Sequence, residues 1–188
     1  MPPRRPPRRG KTHGLPGEPA LAEVALKDLR RAHKLMERGE HANAAVLFER
    51  QARDAGDRGH LLPSAHLHLQ GGRARLMAGE TETGEYHLRQ GLEILSRGAD
   101  PQRLAKSGNI LVGDLARLGF DKLAGEIKEF LERELEKHLP GAFTGLETTP
   151  SPPAFKCSKC GAILRVEDIE TGDSRSPVCV YCGSLAGP

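Results

Sequence analysis

The sequence predicts a mainly α protein: an array of about three antiparallel helix pairs followed by a small C-terminal β module. Three observations carry that expectation. Apolar residues recur at three- and four-residue steps from about Leu21 to Leu139. A short pattern around Gly39 returns at Gly79 and Gly119, forty residues apart each time. Four cysteines, all that the chain has, stand as Cys157-Ser158-Lys159-Cys160 and Cys179-Val180-Tyr181-Cys182. The 188 residues divide by composition into a tail (1–19), a helical domain (20–139), a linker (140–154) and a cysteine module (155–188).

The tail opens with alternating proline and arginine doublets. Arg4, Arg5, Arg8, Arg9 and Lys11 against Glu18 put +4 in the first nineteen residues, so a net charge of +3 leaves −1 for the rest. Such a segment buries no apolar surface and is expected to be disordered or polyproline-like. It suits a solubilising extension, or a contact with nucleic acid or an acidic partner through counterion release. It has no apolar stretch resembling an export signal, and no run in the chain reaches the length of a membrane span. A cytoplasmic protein without a membrane partner is the expectation.

In the first helix Ala22, Ala25, Leu29, Ala32 and Met36 share one stripe; in the last, Leu123, Ile127, Phe130, Leu131 and Leu135 do so. Glycine and proline fall between the periodic segments, at Gly56, Gly59, Pro63, Gly79, Gly98, Pro101 and Gly119. Six helices result. Five residues after each repeating glycine stands a small residue, Ala44, Gly84 or Ala124, where a larger one would push crossing helices apart. Phe48 and Leu88 follow four later to fill the seam, and Lys128 breaks the pattern.

The segment Pro140–Ala154 carries four prolines and no helical period, which predicts a semi-rigid linker and a module free to swing with its own core. In that module the cysteine pairs are separated by 18 residues, within the range of a four-thiolate zinc site. Each Cys-x-x-Cys turn supplies two corners of a tetrahedron, and Gly161 and Gly183 follow where the chain must turn tightly around bound sulfur. One structural zinc ion on Cys157, Cys160, Cys179 and Cys182 is the favoured reading. An iron centre and a pair of disulfides are its alternatives. Ala162–Val166 reads as a strand and Glu170–Asp173 as a hairpin turn.

Two resemblances follow from these residues. From Phe155 to Ser184 the paired Cys-x-x-Cys-Gly knuckles around a hairpin resemble the zinc-ribbon family. The turn glycine, the small residue five later and the bulky residue after it resemble tetratricopeptide-repeat hairpins. Ala32 and Gly72 match the small residue of that family's first helix. The period of forty, against the family's thirty-four, leaves a HEAT-like stack or an ordinary compact bundle open. The tetratricopeptide resemblance implies a concave groove lined by the first helices of the pairs, near Arg30, His33, His66, Arg73, Lys106, Asn109 and Arg117. Several cations there would favour an acidic peptide or a free carboxylate.

No phosphate loop, nucleophile motif or catalytic carboxylate pair stands out. Four thiolates leave a tetrahedral metal no open position for reactive water. The expected function is a non-enzymatic adaptor that binds a protein or peptide partner through its helices, with no small-molecule substrate. The alternative is a nucleic-acid-associated factor using the arginine tail and the cysteine module.

Overall fold

The structure, a computed structural model, describes residues 18–98, 101–138, 153–165, 169–171, 177–182 and 184. The cationic tail positions Arg4, Arg5, Arg8, Arg9 and Lys11 lie outside these residues, as do most of the expected linker and Gly183.

Among the described residues, six helices run in order: α1 (Glu18–Glu37), α2 (His41–Asp57), α3 (Leu61–Met77), α4 (Thr81–Gly98), α5 (Pro101–Arg117) and α6 (Asp121–His138). They pack as adjacent neighbours, with α3 lying extensively against both α2 and α4. The stops are set by glycine. Gly39, Gly59, Gly79 and Gly119 all take a left-handed φ of 76–82°, a conformation that costs other residues a Cβ clash. At each, the following amide reaches back five residues: Glu40 N to Leu35 O at 2.9 Å, His60 N to Ala55 O at 2.9 Å, Glu80 N to Arg75 O at 2.9 Å and Phe120 N to Leu115 O at 2.9 Å. These bonds satisfy carbonyls that a helix end leaves without an intrahelical partner. Gly59 lies halfway through the forty-residue period, so the structural unit is one helix and one turn of twenty residues.

The small residues hold helices close. A Cβ added at Gly84 would stand 2.7 Å from Leu76 Cδ2, and one at Gly72 would stand 2.8 Å from the Gly84 carbonyl oxygen. The backbones of α3 and α4 therefore touch where a side chain would not fit. Phe48 and Leu88 are fully buried in their seams. In the last pair Lys128 is exposed, and Leu131 closes the seam by packing where Gly108 leaves space. Burying each such side chain contributes about 1.5–3 kcal/mol.

Among the described residues, the cysteine module contributes four strands: β1 (Pro153–Lys156), β2 (Ile163–Arg165), β3 (Ile169–Thr171) and β4 (Pro177–Cys179). They form two separate antiparallel ladders, β1 with β2 and β3 with β4. Phe155 pairs with Leu164 and Ile169 with Cys179. The expectation of a separate core for this module is corrected by the packing. Cys157, Cys160, Ala162, Leu164, Cys179, Val180 and Tyr181 belong to the same buried cluster as Leu29, Ala32, Leu35, Phe48 and Leu67 of α1–α3. A second cluster, from Ala65 to Leu135, is made of helical residues alone among the described residues. The physical reason is size: so few apolar residues cannot close a core, and they complete one against the helices. Among the described residues, no helix is long and apolar enough to cross a membrane.

Candidate metal centre and the helical face it covers

The first knuckle is the loop between β1 and β2. Cys157 N donates to Ala162 O at 2.8 Å, Gly161 N donates to Cys157 O at 2.9 Å, and Gly161 turns through φ 80°. The second knuckle leaves β4, where Cys179 N donates to Ser184 O at 2.9 Å. These turns bring the four Sγ atoms within 4.8 Å of one another. Cys157 and Cys182 sulfurs are 3.9 Å apart, and those of Cys160 and Cys179 are 3.8 Å apart. A tetrahedral metal with metal–sulfur bonds of about 2.3 Å sets its sulfurs about 3.8 Å apart, so the four thiols suit one ion. A disulfide requires about 2.05 Å, and all four cysteines are free.

Hydrogen bonds from the Cys160 and Cys179 thiols draw the Cys182 thiol down to about 2. The Cys160 thiol is pushed far up, first by its neighbours Cys179 and Cys182 and then by burial. A divalent cation held among these sulfurs would favour the thiolate form that ligation requires.

The module sits on the face built by the odd-numbered helices. A Cβ at Gly161 would stand 3.9 Å from both Arg30 Cα and His33 Cβ of α1. Arg30 Nε donates to the carbonyl oxygen of Lys159. Lys156 Nζ lies 2.6 Å from Glu37 Oε1. Tyr181 is also buried against this face, 6% exposed. Its ring meets His33 and His66 edge-on, with centroids at 6.1 and 5.9 Å, while Gln70 Nε2 donates to its hydroxyl at 2.9 Å.

The residues expected to line a groove are thus partly assembled and partly neutralised. His33, His66 and Arg73 do border clefts beside Tyr181; the one between α1, α3, α5 and the module has a volume of about 240 Å³. Burial lowers both His33 and His66 to about 4, helped by Lys156 and Arg103 respectively, so neither is a cation near neutral pH. Arg73 and Arg117 converge on the buried carboxylate of Asp114, Arg73 at 2.8 Å. Lys106 is exposed on α5, and Asn109 is half-buried on the same helix with its Oδ1 unpartnered among the described residues.

A second polar cluster went unread in the sequence. His68 of α3 and His87 of α4 stack with centroids 5.2 Å apart and Nδ1 atoms 3.0 Å apart. His87 Nε2 lies 3.3 Å from Glu49, which Arg75 grips at 2.6 and 2.9 Å. The spacing of His68 and His87 carries no motif; only the turn at Gly79 makes them neighbours.

No family model, curated protein or solved structure matches this chain.

Proposed function

We propose that the chain is a non-enzymatic adaptor, in which tetratricopeptide-like helix pairs bind a protein segment and a zinc ribbon completes the binding face. One observation supports this reading above others: the odd-helix face already holds a polypeptide knuckle. Tyr181 enters it as a peptide side chain enters a recognition pocket, with an apolar ring packed edge-on and a polar tip on Gln70. The uncovered remainder, from Arg73 and Ile110 to Lys106, is where a partner segment would run.

Zinc, held by Cys157, Cys160, Cys179 and Cys182, supplies structure rather than reactivity, because all four positions are sulfur. Four-thiolate sites contribute on the order of 10–16 kcal/mol of apparent folding free energy, which compensates for the module's small core. The chain's own residues do the rest. Gly161 turns the knuckle, Ala162 and Leu164 seal it, and Lys156 ties it to Glu37.

The test has two arms. Elemental analysis of protein purified under reducing conditions is expected to give one zinc per chain; iron or no metal defeats the zinc reading. Proteins captured by the wild-type chain are expected to be lost with Lys106→Glu and retained with Arg97→Glu on the exposed surface of α4. Equal capture by both variants defeats the groove reading.

A further inference from the structure

We infer that the metal centre is a latch on the odd-helix face: when the four thiolates hold their ion the module covers α1 and α3, and when the ion leaves the face opens. This rests on the adaptor reading above and assigns the regulation of that same face.

Coverage of the face depends on the shape of the two knuckles. The contacts come from Lys156, Lys159, Gly161 and Tyr181, all within four residues of a cysteine. Tyr181 lies inside the second Cys-x-x-Cys turn, so the same backbone arc that presents Cys179 and Cys182 to the ion aims the phenol at Gln70. The described strands on either side are only three or four residues long and pair as two two-stranded ladders. Ladders so short do not persist alone in water. Loss of the ion therefore loses the knuckles, and with them the docking contacts.

The helices have what they need to remain. Among the described residues, the cluster spanning Ala65 to Leu135 contains none from the module. In the other, Leu35, Ala44, Leu47, Phe48 and Ala52 pack α1 on α2. What opens is the slot between His33, His66 and Gln70, an aromatic-sized recess with a polar floor. The occupant it suits is a partner segment bearing an aromatic residue with a hydrogen-bonding tip, in place of Tyr181.

The chain has two tyrosines and no tryptophan, and the other tyrosine, Tyr86, is exposed on α4. Tyr86→Phe in the full-length chain leaves Tyr181 as the sole fluorophore. Acrylamide quenching is measured with zinc bound and after removal by a chelator under reducing conditions, alongside far-ultraviolet circular dichroism. The expected result is loss of Tyr181 shielding on chelation, restored by zinc, with the helical signal kept. Hydrogen exchange should rise over residues 153–184 and over the exposed turns of α1 and α3, while α5 and α6 stay protected. Unchanged quenching, or helices that melt in the same step as the metal leaves, would overturn the latch. Cys157→Ser, which weakens metal binding without chelator, is expected to reproduce the open form. No partner is present in these measurements, so their failure leaves the adaptor reading intact, and loss of partner capture by Lys106→Glu does not depend on the latch.

Discussion

Gln70 Nε2 donates to the hydroxyl of Tyr181 at 2.9 Å, joining the third helix to the second cysteine knuckle across 111 residues of chain. The bond is the polar tip of a larger apolar contact, and the two parts are separable. Tyr181→Phe removes only the hydroxyl and is expected to cost about 1 kcal/mol in urea unfolding. Tyr181→Ala also removes the ring between His33 and His66 and is expected to cost about 3–5 kcal/mol. Equal losses would show that the ring's packing contributes nothing.

Cys157→Ser is expected to lower the thermal midpoint of the helices as well as removing the module's order. Cys157 shares its cluster with Leu29, Ala32 and Phe48, so a module that lets go exposes apolar surface on α1 to α3. Helical circular dichroism at 25 °C should persist, carried by the second cluster. A variant whose thermal midpoint equals that of the wild type would mean that the helices gain nothing from the contact.

Glycine substitutions should divide by what surrounds each Cα. Gly72→Ala puts a Cβ 2.7 Å from Leu88 Cγ and 2.8 Å from a backbone oxygen, so α3 and α4 must separate; about 1–3 kcal/mol of destabilisation is expected. Gly125 of α6 has nothing within 4 Å of a new Cβ. Gly125→Ala should therefore stabilise by about 0.5–1 kcal/mol through helix propensity. Thermal unfolding of the two variants side by side checks both signs.

The His68–His87 contact predicts an acid dependence of stability. Burial is the largest cause lowering His68 to about 4, with the positive charge of a protonated His87 next. His87 is itself lowered, chiefly by burial, against the raising pull of Glu49 and with the opposition of Arg75 and Arg53. The unfolded chain binds the His68 proton from its ordinary value near 6.5 downward, whereas the folded chain does not until about 4, and His87 is shifted in the same direction. Stability therefore rises with pH across that window and is lost as pH falls through it. His68→Gln and His87→Gln should each flatten the slope of urea midpoint against pH between about 4 and 6.5. Parallel slopes in wild type and variants would remove the pair as the cause.

The helices and the cysteine cluster were legible in the sequence because each has a local signature. A 3.6-residue stripe needs only neighbours along the chain, and a positive φ selects glycine at Gly39, Gly79 and Gly119. Two Cys-x-x-Cys turns likewise carry their chemistry within four residues. The docking of the module did not, because nothing near Tyr181 records that Gln70, His33 and His66 await it. Two of the cations expected along the groove, Arg73 and Arg117, are paired with Asp114, which the sequence hid for a related reason. Asp114 sits one turn before Arg117 and is visible as its partner, but its pairing with Arg73 depends on how α5 lies against α3. Charge counted along a sequence does not reveal which charges cancel across a seam.

Arg75 and Glu49 offer the sharpest test of how the helix pairs are joined. The guanidinium holds both Glu49 oxygens, at 2.6 and 2.9 Å, and reaches Glu80 at 2.6 Å, so one side chain ties α2 and the turn before α4 to α3. Both partners are largely buried, at 15% and 12% exposure, and Glu49 holds the Arg75 charge well above its ordinary range. Glu49→Ala leaves a largely buried guanidinium with only the half-exposed Glu80, and is expected to cost about 3 kcal/mol. Replacing both residues together, Glu49→Met with Arg75→Met, removes the orphaned charge and should recover most of that loss. A double-mutant cycle in urea reads the coupling directly. If the double variant is as unstable as the sum of the singles, the pair acts through packing of its side chains and not through charge.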